Sequence, residues 1–457
     1  MKDIRKFKKN VRIMLLVFTA MFAALIIYLA YSVITFGDKW YSTPYNPRIQ
    51  NSLKNGDPGD IYDRAGLCIA RSDNGKRIYP EDEASRRALS HVVGDTYGMT
   101  VGAESVFAKY LYGVNKTAYD RFSSVLSGAE SKGSDITLSV DSKLSRYIYE
   151  QMDKRKGCVA VINYKTGEII ANVSIPTFDV NTVKDEELQD SGLVDRAVMG
   201  RYPPGSLMKI VTASKAVEKG IDFEYTCTAE DYVGGQRVTC VSKHGDLTLE
   251  TAFEKSCNCY FAHLAMEIGE GDLLSAAETF GFNKEFAFDD IVLYKSSFEI
   301  SEEDGDNAWA AIGQHKDLIT PMHAAMITGA IANDGVMMTP KLLLNSASYE
   351  MKTKPYTSVT DKMTASVIKE YMRGVVENGT GTSAAVSGLD ICGKTGTAEF
   401  YDEESGSVKN HSWFAGFIDD ENKPYAVAVI FEGAGYGSRY AAPMAGKIFD
   451  YLNKNEI

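Results

Sequence analysis

A run of 24 residues near the N-terminus, residues 13–36, contains no charged side chain. As an α-helix it would extend roughly 36 Å at about 1.5 Å per residue, more than the about 30 Å of a bilayer's hydrocarbon core. Residues 1–12 carry six basic side chains and one acidic one, and positive flanks stay in the cytoplasm. The sequence therefore predicts a cytoplasmic tail (1–12) and a single-pass transmembrane anchor (13–36) in the lipid bilayer of a cell membrane, with the remainder outside.

Two other interpretations of this run stay open. A buried helix of a globular protein can be equally apolar, and the small-x-small triplet Ala30-Tyr31-Ser32 is similar to the cleavage site of a signal peptide. Because the run is longer than the about 7–15 apolar residues of a signal peptide, the membrane anchor is the preferred prediction.

The composition limits the classes of function. Hydrophobic residues make up 44% of the 457 residues, which is enough for two or three folded units with their own cores. The formal net charge is −12, and the part after the basic N-terminus is more acidic still. An acidic chain of this kind does not favour binding to nucleic acid.

The pattern after the anchor changes near Ser134. Residues 37–134 are polar and interrupted by glycines, and we interpret them as a pedestal or stalk domain. Residues 135–457 show strand and helix signals that predict an α+β fold with an antiparallel sheet and a helix-rich middle at 206–332. The predicted elements are a strand at 136–140, a helix at 142–152, strands at 158–162, 168–173, 392–400, 411–418 and 425–431, and a final helix at 442–452.

The segment Ser206-Leu-Met-Lys209 has the arrangement that nucleophilic catalysis by serine requires. It follows Tyr202-Pro-Pro-Gly205, in which prolines and glycine delay the helix until the serine. A spacing of three residues places Lys209 one helical turn after Ser206, where a neutral amine could accept the hydroxyl proton. We therefore predict Ser206 as nucleophile and Lys209 as general base.

Two further segments complete the chemistry of acyl transfer. Ser256-Cys-Asn258 supplies a hydroxyl and an amide that could relay a proton and orient a peptide. The segment Lys394-Thr395-Gly396-Thr397 lies on a predicted edge strand, where an extended peptide can add main-chain hydrogen bonds. We predict Ser256 as catalytic and the other residues of both motifs as substrate-binding: Asn258, Lys394, Thr395, Gly396 and Thr397.

Each motif also occurs a second time in the chain. The second copies are Ser366-Val-Ile-Lys369, Ser72-Asp-Asn74 and Lys165-Thr-Gly167. Only the first set occurs in the order of nucleophile, middle motif and edge-strand motif, with about fifty residues between the first two. A purely structural interpretation, in which Ser206 is a helix cap and the other motifs are turns, remains the alternative.

With these motifs, the chain resembles the class B penicillin-binding proteins, most closely the penicillin-binding protein A type. The resemblance covers residues 135–457 and extends to short segments of the pedestal, Asn46-Pro-Arg48 and Gly59-Asp-Ile-Tyr-Asp-Arg64. Further segments that fit it are Tyr164-Lys-Thr-Gly-Glu168, Pro176-Thr-Phe-Asp179, Gly313-Gln314 and Trp413-Phe-Ala-Gly-Phe417.

The resemblance implies the transpeptidase fold, shared with serine β-lactamases, and a peptidoglycan D,D-transpeptidase. Ser206 would be acylated by the D-Ala-D-Ala end of a donor stem peptide, and an acceptor amine would then form the cross-link. It also implies inhibition by β-lactams, an oxyanion site at the backbone N–H groups of Ser206 and Thr397, and carboxylate binding by Lys394 and Thr397. The expected partner is a membrane glycosyltransferase of the shape, elongation, division and sporulation type. No cofactor and no catalytic metal are expected.

Other functions for the same machinery are a D,D-carboxypeptidase or β-lactamase, which would transfer the acyl group to water, and a membrane β-lactam sensor. The motif Glu-x-x-Leu-Asn is absent between Ser256 and Lys394, which argues against a class A β-lactamase. A sensor would need a cytoplasmic output domain, whereas only twelve residues precede the anchor. The sequence does not distinguish a role in elongation, division or sporulation.

A cluster of cysteines and one histidine surrounds the middle motif, within 33 residues. Thiolates and an imidazole are a suitable ligand set for zinc. A disulfide between Cys227 and Cys240 and free buried thiols are the two alternatives, and all three stay open. The members of the cluster are Cys227, Cys240, His244, Cys257 and Cys259.

Overall fold

The structure of the protein is a computed structural model. It describes residues 2–41, 58–73, 76–95, 100–113, 133–182, 191–286, 288–346, 349–403 and 405–457. The pedestal segment Asn46-Pro-Arg48 and Asn74, the last residue of the second Ser-x-Asn copy, lie outside these residues.

In chain order the strands are β1 (Ile61–Tyr62), β2 (Cys68–Asp73), β3 (Lys76–Ile78), β4 (Ile136–Leu138), β5 (Gly157–Asn163), β6 (Ile169–Ile175), β7 (Tyr225–Cys227), β8 (Glu230–Val233), β9 (Gln236–Thr239), β10 (Gly245–Leu247), β11 (Val336–Met338), β12 (Leu343–Ser346), β13 (Tyr349–Glu350), β14 (Pro355–Ser358), β15 (Ile391–Asp402), β16 (Ser407–Ile418) and β17 (Tyr425–Phe431).

In the same order the described α-helices are α1 (Lys2–Tyr41), α2 (Glu83–Val93), α3 (Ala103–Val106), α4 (Ala108–Leu111), α5 (Ser142–Met152), α6 (Lys209–Lys219), α7 (Leu249–Glu254), α8 (Asn258–Ile268), α9 (Glu270–Thr279), α10 (Asp304–Ala310), α11 (Pro321–Ala332), α12 (Lys362–Glu377) and α13 (Ala441–Lys454).

The N-terminal helix α1 contains a stretch, Ile4–Ser32, that is long and apolar enough to cross a membrane. None of its most apolar window is buried against the rest of the protein. The prediction of an apolar N-terminal helix of membrane-spanning length is therefore confirmed.

The catalytic half of the chain is built on a five-stranded antiparallel sheet in the order β15-β16-β17-β5-β6. Side chains alternate across it, so that Val159 and Val161 face one core while Cys158 and Ala160 face another. Helices α5 and α13 cover the first face, and α11 packs on the second. This arrangement confirms the predicted α+β fold with consecutive antiparallel C-terminal strands.

A second sheet, the pedestal sheet, joins the pedestal strands β1, β2 and β3 to three strands from later in the chain, in the order β13-β12-β4-β1-β2-β3. Its strands β1 and β4 are parallel, and β12 joins β4 in antiparallel register with Leu343 opposite Leu138. The pedestal sheet is therefore completed by the hairpin β12–β13, which comes from much later in the chain.

The pedestal helix α2 is held to the catalytic half by a two-fold ion pair. Arg86 Nε and Nη2 donate to the two carboxylate oxygens of Asp179 at 2.8 Å each. The side chains are mostly buried, which makes such a bidentate pair stronger than an exposed one.

The middle of the chain, predicted as helix-rich, also contains four short strands that form two ribbons, β7 with β10 and β8 with β9. The turn between β8 and β9 is Gly234-Gly235, with φ of +55° and +79°. Two consecutive positive φ values are typical of a tight hairpin turn, which glycine adopts without steric cost. This Gly-Gly pair is the local signal that the helix-rich prediction overlooked.

Candidate active site

Ser206 lies in a 3₁₀ turn, Gly205–Leu207, that leads directly into α6. The turn packs closely against β15. A Cβ atom at Gly205 would lie only 2.8 Å from the carbonyl oxygen of Thr397, so only glycine fits there. Gly205 also has φ of +54°, a conformation that favours glycine. Its N–H donates to the carbonyl of Gly313 at 2.8 Å, which holds the turn from the opposite side.

Lys209, the first residue of α6, is fully buried and lies at the centre of a hydrogen-bond network. Its Nζ donates to the carbonyl oxygen of Ser256 at 2.8 Å, to Ser256 Oγ at 3.2 Å and to Asn258 Oδ1 at 2.7 Å. The Ser256 hydroxyl in turn donates to Ser206 Oγ at 2.9 Å. Ser256 therefore connects the predicted base to the predicted nucleophile.

The environment of Lys209 favours its neutral form. Burial lowers the pKa of Lys209 to about 8, although the neighbouring thiols of Cys257, Cys240 and Cys259 act in the opposite direction. Its Nζ lies 5.4 Å from the ring centroid of Phe261, part of the apolar wall that excludes water. An amine with a pKa near 8 is a suitable general base at neutral pH.

Ser256 and Asn258 are presented by a tight turn between α7 and α8. Ser256 has φ of +56°, an unusual conformation for a residue with a side chain. Asn258 begins α8, and its Nδ2 donates to the carbonyl of Thr239 at 2.8 Å. This bond fixes the orientation of the amide, so that its oxygen faces Lys209.

The third motif lies on β15, at the edge of the five-stranded sheet as predicted. The side chains of Thr395 and Thr397 line the cleft in front of the strand. Lys394 points the other way and is fully buried, with its Nζ 5.6 Å from the ring centroid of Phe253. Burial and the positive charge of Lys209 hold the pKa of Lys394 well below its usual value.

A cleft of about 560 Å³ opens between these three motifs. Ser206, Ser256, Asn258, Thr395 and Thr397 all line the cleft. The cleft is large enough for a peptide of a few residues. The structure thus brings all eight predicted site residues to one place. Thr395 and Thr397 line the cleft, whereas Lys394 and Gly396 alternate with them along β15 and do not line it.

Several cleft residues carried no signal in the sequence. Thr380 Oγ1 lies 2.5 Å from Thr395 Oγ1 and orients it. Asn410, opposite Glu399 on β16, lines the cleft, and its Oδ1 has no hydrogen-bond partner among the residues that the structure describes. Trp309, Gln314, Tyr436 and Ser438 also line the cleft. Of these additional residues, only Gln314 belongs to a segment that the resemblance had indicated.

The second copies of the motifs have structural roles. Ser366 and Lys369 lie on α12, and Lys369 Nζ pairs with Asp419 Oδ1 at 2.8 Å, away from the cleft. Lys165 and Thr166 form the turn between β5 and β6, where their N–H groups donate to Asn163 Oδ1. The motifs in the predicted order and spacing therefore meet at the cleft, whereas these copies do not line it.

Residues 157–450, which carry this cleft, match the family described as the penicillin binding protein transpeptidase domain. The chain belongs to this family. The predicted class B penicillin-binding protein of the PbpA type and the predicted transpeptidase fold are confirmed.

Individual members of the transpeptidase family support the same assignment. The chain is 25% identical over 412 residues to the peptidoglycan D,D-transpeptidase PbpA of Mycolicibacterium smegmatis, covering 80% of this chain and 82% of that protein. It is 30% identical over 375 residues to the peptidoglycan D,D-transpeptidase MrdA of Haemophilus influenzae, covering 70% of this chain and 56% of that protein.

Solved structures of the family agree with the fold. A D,D-transpeptidase domain from Eggerthella lenta superposes with a TM-score of 0.75 at 30% identity, covering 87% of this chain and 98% of that chain. Penicillin-binding protein A of M. tuberculosis, solved as a ceftriaxone acyl-enzyme, superposes with a TM-score of 0.78 at 22% identity, covering 88% and 99%. The second likeness supports the fold alone.

Proposed function

We propose that this chain is a serine D,D-transpeptidase that cross-links peptidoglycan stem peptides and is acylated by β-lactams. Two consecutive hydrogen bonds carry the proposal. Lys209 Nζ donates to Ser256 Oγ at 3.2 Å, and Ser256 Oγ donates to Ser206 Oγ at 2.9 Å. The family match supports the reaction class, and the relatives named above are peptidoglycan D,D-transpeptidases. This agrees with the function predicted from the motifs.

In the acylation step, Ser206 Oγ would attack the carbonyl carbon of the penultimate D-Ala. Its proton would pass to neutral Lys209, through Ser256 Oγ, which lies between the two atoms. The C–N bond to the terminal D-Ala would then break, and Ser256 would return the proton from Lys209 to the leaving amine. An acceptor amine would then attack the ester carbonyl and form the new peptide bond, while the C–O bond to Ser206 breaks and the proton of the amine passes through Lys209 and Ser256 to Ser206 Oγ.

The charge that develops on the carbonyl oxygen would be stabilised by the backbone N–H groups of Ser206 and Thr397. The packing of Gly205 against Thr397 supports this pairing, because it brings the two backbone segments together. Preorganised donors of this kind contribute roughly a hundredfold to a thousandfold each to the rate.

The substrate would lie along β15 as an added strand. Thr395 and Thr397, which line the cleft, would bind the terminal carboxylate of the donor directly. The bound carboxylate would favour the protonated form of buried Lys394, which would then attract it from behind the strand. Asn258 would hold the peptide amide, as the sequence analysis proposed.

The remaining proposals concern location and partner. The basic residues in the first turns of α1, before its uncharged run, support an orientation with the N-terminus in the cytoplasm and the catalytic domain outside. A membrane glycosyltransferase would supply the glycan strands and would bind through the anchor and the pedestal, which we place at residues 37–134 with the transpeptidase domain at 135–457.

The test is mass spectrometry of the full chain in detergent, incubated with a D-Ala-D-Ala thioester analogue and a D-amino acid acceptor. A transpeptidase yields a product that contains the acceptor amine and a transient adduct on Ser206. A Ser206→Ala variant is the matched control and yields neither. Release of the acyl group only as a free acid, with any acceptor, would refute transpeptidation and indicate a hydrolase.

A further inference from the structure

Beside the cleft, four potential metal ligands converge on one point. The sulfur atoms of Cys227, Cys240 and Cys257 and a ring nitrogen of His244 all lie within 4.8 Å of one another. Cys227 and Cys257 are buried, whereas Cys240 and His244 are partly exposed and line the cleft. No step of the acyl transfer described above uses these four side chains.

The separations between these atoms are those of a tetrahedral zinc site. With Zn–S of about 2.3 Å and Zn–N of about 2.0 Å, a tetrahedron requires about 3.8 Å between two sulfurs and about 3.5 Å between a sulfur and a nitrogen. Cys227 Sγ lies 3.9 Å from Cys240 Sγ and 3.5 Å from His244 Nδ1, and Cys240 Sγ lies 3.7 Å from Cys257 Sγ.

A disulfide does not account for the same geometry. No cysteine of the cluster is in a disulfide, and Cys240 Sγ is almost equally distant from three sulfurs, those of Cys227, Cys257 and Cys259. A single disulfide would join two of these sulfurs. The remaining sulfurs and the His244 imidazole beside them would then have no role. Three thiolates and one imidazole in a closed tetrahedron are instead the ligand set of structural zinc sites.

The polypeptide holds the four ligands in place from several directions. Antiparallel pairing of Cys227 with Gly245 puts His244 next to Cys227. Cys240 follows β9, and its N–H donates to the carbonyl of Ala229 at 2.8 Å. Cys257 is the N-cap residue of α8. Three segments that are separate in sequence therefore meet at the ligand atoms.

Hydrogen bonds distinguish the ligand Cys257 from Cys259, the fourth cysteine of the cluster. Cys257 Sγ accepts a hydrogen bond from the N–H of Tyr260 at 3.4 Å, as metal-bound thiolates commonly do. Cys259 instead donates its S–H to the carbonyl of Val238 at 3.6 Å. Cys259 Sγ lies 3.6 Å from Cys240 Sγ but is not among the four ligand atoms that all lie within 4.8 Å of one another, so Cys259 is a matched control for the ligand set.

We propose that Cys227, Cys240, His244 and Cys257 bind one Zn²⁺ ion, which holds the turn that carries Ser256 and Asn258. Cys257 lies between these two residues in the chain, so a bond from its sulfur to a metal fixes both neighbours. Ser256 has the strained φ of +56° and needs such support. The binding site is independent of the proposed function, whereas the positioning role rests on it.

The first experiment measures zinc in the full chain, purified in detergent without chelator. We expect one equivalent of zinc per chain in the wild type and in Cys259→Ala, and less than a tenth in Cys227→Ser and His244→Ala. Thermal melting of each variant reports whether it folds. Less than a tenth of an equivalent in the wild type, or equal zinc in all four proteins, would overturn the proposal.

The second experiment uses only the wild type, so it does not depend on the folding of variants. After removal of zinc with a chelator, Co²⁺ is added and the absorption spectrum is recorded. Thiolate-to-cobalt charge transfer and the d–d bands of tetrahedral cobalt are expected at one equivalent. A spectrum of octahedral cobalt without charge transfer would contradict a site of three thiolates and one imidazole.

The positioning role has a separate readout, the rate at which a fluorescent penicillin acylates Ser206. Zinc-free protein should react about tenfold to a hundredfold more slowly and recover when zinc is returned. An unchanged rate would refute the positioning role and leave the metal site standing. If the zinc-loaded wild type were not acylated at all, the proposed function would fail while the zinc content stayed a valid test of the site.

Discussion

The rate of acylation should follow the protonation of Lys209. With a pKa of about 8, about a tenth of the molecules carry neutral Lys209 at pH 7, against about one in three thousand at the ordinary pKa of a lysine. Burial therefore increases the reactive fraction at pH 7 about three-hundredfold. Because the neutral amine is the base, the rate should rise about tenfold per pH unit below pH 8 and level off above it.

The assay is stopped-flow acylation of the full chain by a fluorescent penicillin between pH 5.5 and pH 9.5. Lys209→Arg keeps the positive charge but has no neutral form in this range, so its rate should fall about a hundredfold to ten-thousandfold. Lys369→Arg is the matched control, because Lys369 pairs with Asp419 away from the cleft, and its profile should be unchanged. A flat profile in the wild type, or a normal rate in Lys209→Arg, would refute the assignment of the base.

Four further predictions concern the cleft, in the first three cases, and the anchor with the pedestal, in the fourth. A labelled penicillin should remain attached to Ser206 in a tryptic digest, and an adduct on Ser366 instead would contradict the mechanism. Ser256→Ala should lower the acylation rate about a hundredfold or more with little change in melting temperature, because it interrupts the path to the base; a normal rate would show that this path is not used. Asn410→Ala should raise KM for a peptide donor more than it lowers kcat, and an unchanged KM would show that Asn410 does not bind substrate. Replacing residues 13–134 by an unrelated anchor and spacer should abolish function in cells, and full function would show that no glycosyltransferase needs this surface.

Motifs within a few residues of one another were the part of the site that the sequence predicted best. Ser206 and Lys209 are one helical turn apart. The Pro-Pro-Gly segment before them restricts the backbone and so predicts where the helix begins, without reference to distant residues. The helix after β4 is another case, since Asp141 accepts a hydrogen bond from the N–H of Leu144 at 2.7 Å, as its position before the helix predicts.

Contacts between distant segments were not predictable in the same way. Thr380 belongs to no motif and reaches Thr395 only because α12 packs against β15. Asn410 enters the cleft through its register opposite Glu399. The sequence also did not indicate that the Lys394 side chain is buried. Side chains alternate between the two faces of the sheet along β15, but the sequence alone does not show which face meets the cleft.

The pedestal sheet has a consequence for how the chain is synthesised. Its first strand begins at Ile61, but the hairpin that covers β4 ends only at Glu350. A growing chain therefore displays the open backbone groups of β4 while most of the catalytic half is still being translated. Exposed strand edges capture other strands, so a chaperone that shields this edge should improve yield. A gene truncated shortly after β4 should produce an aggregating protein.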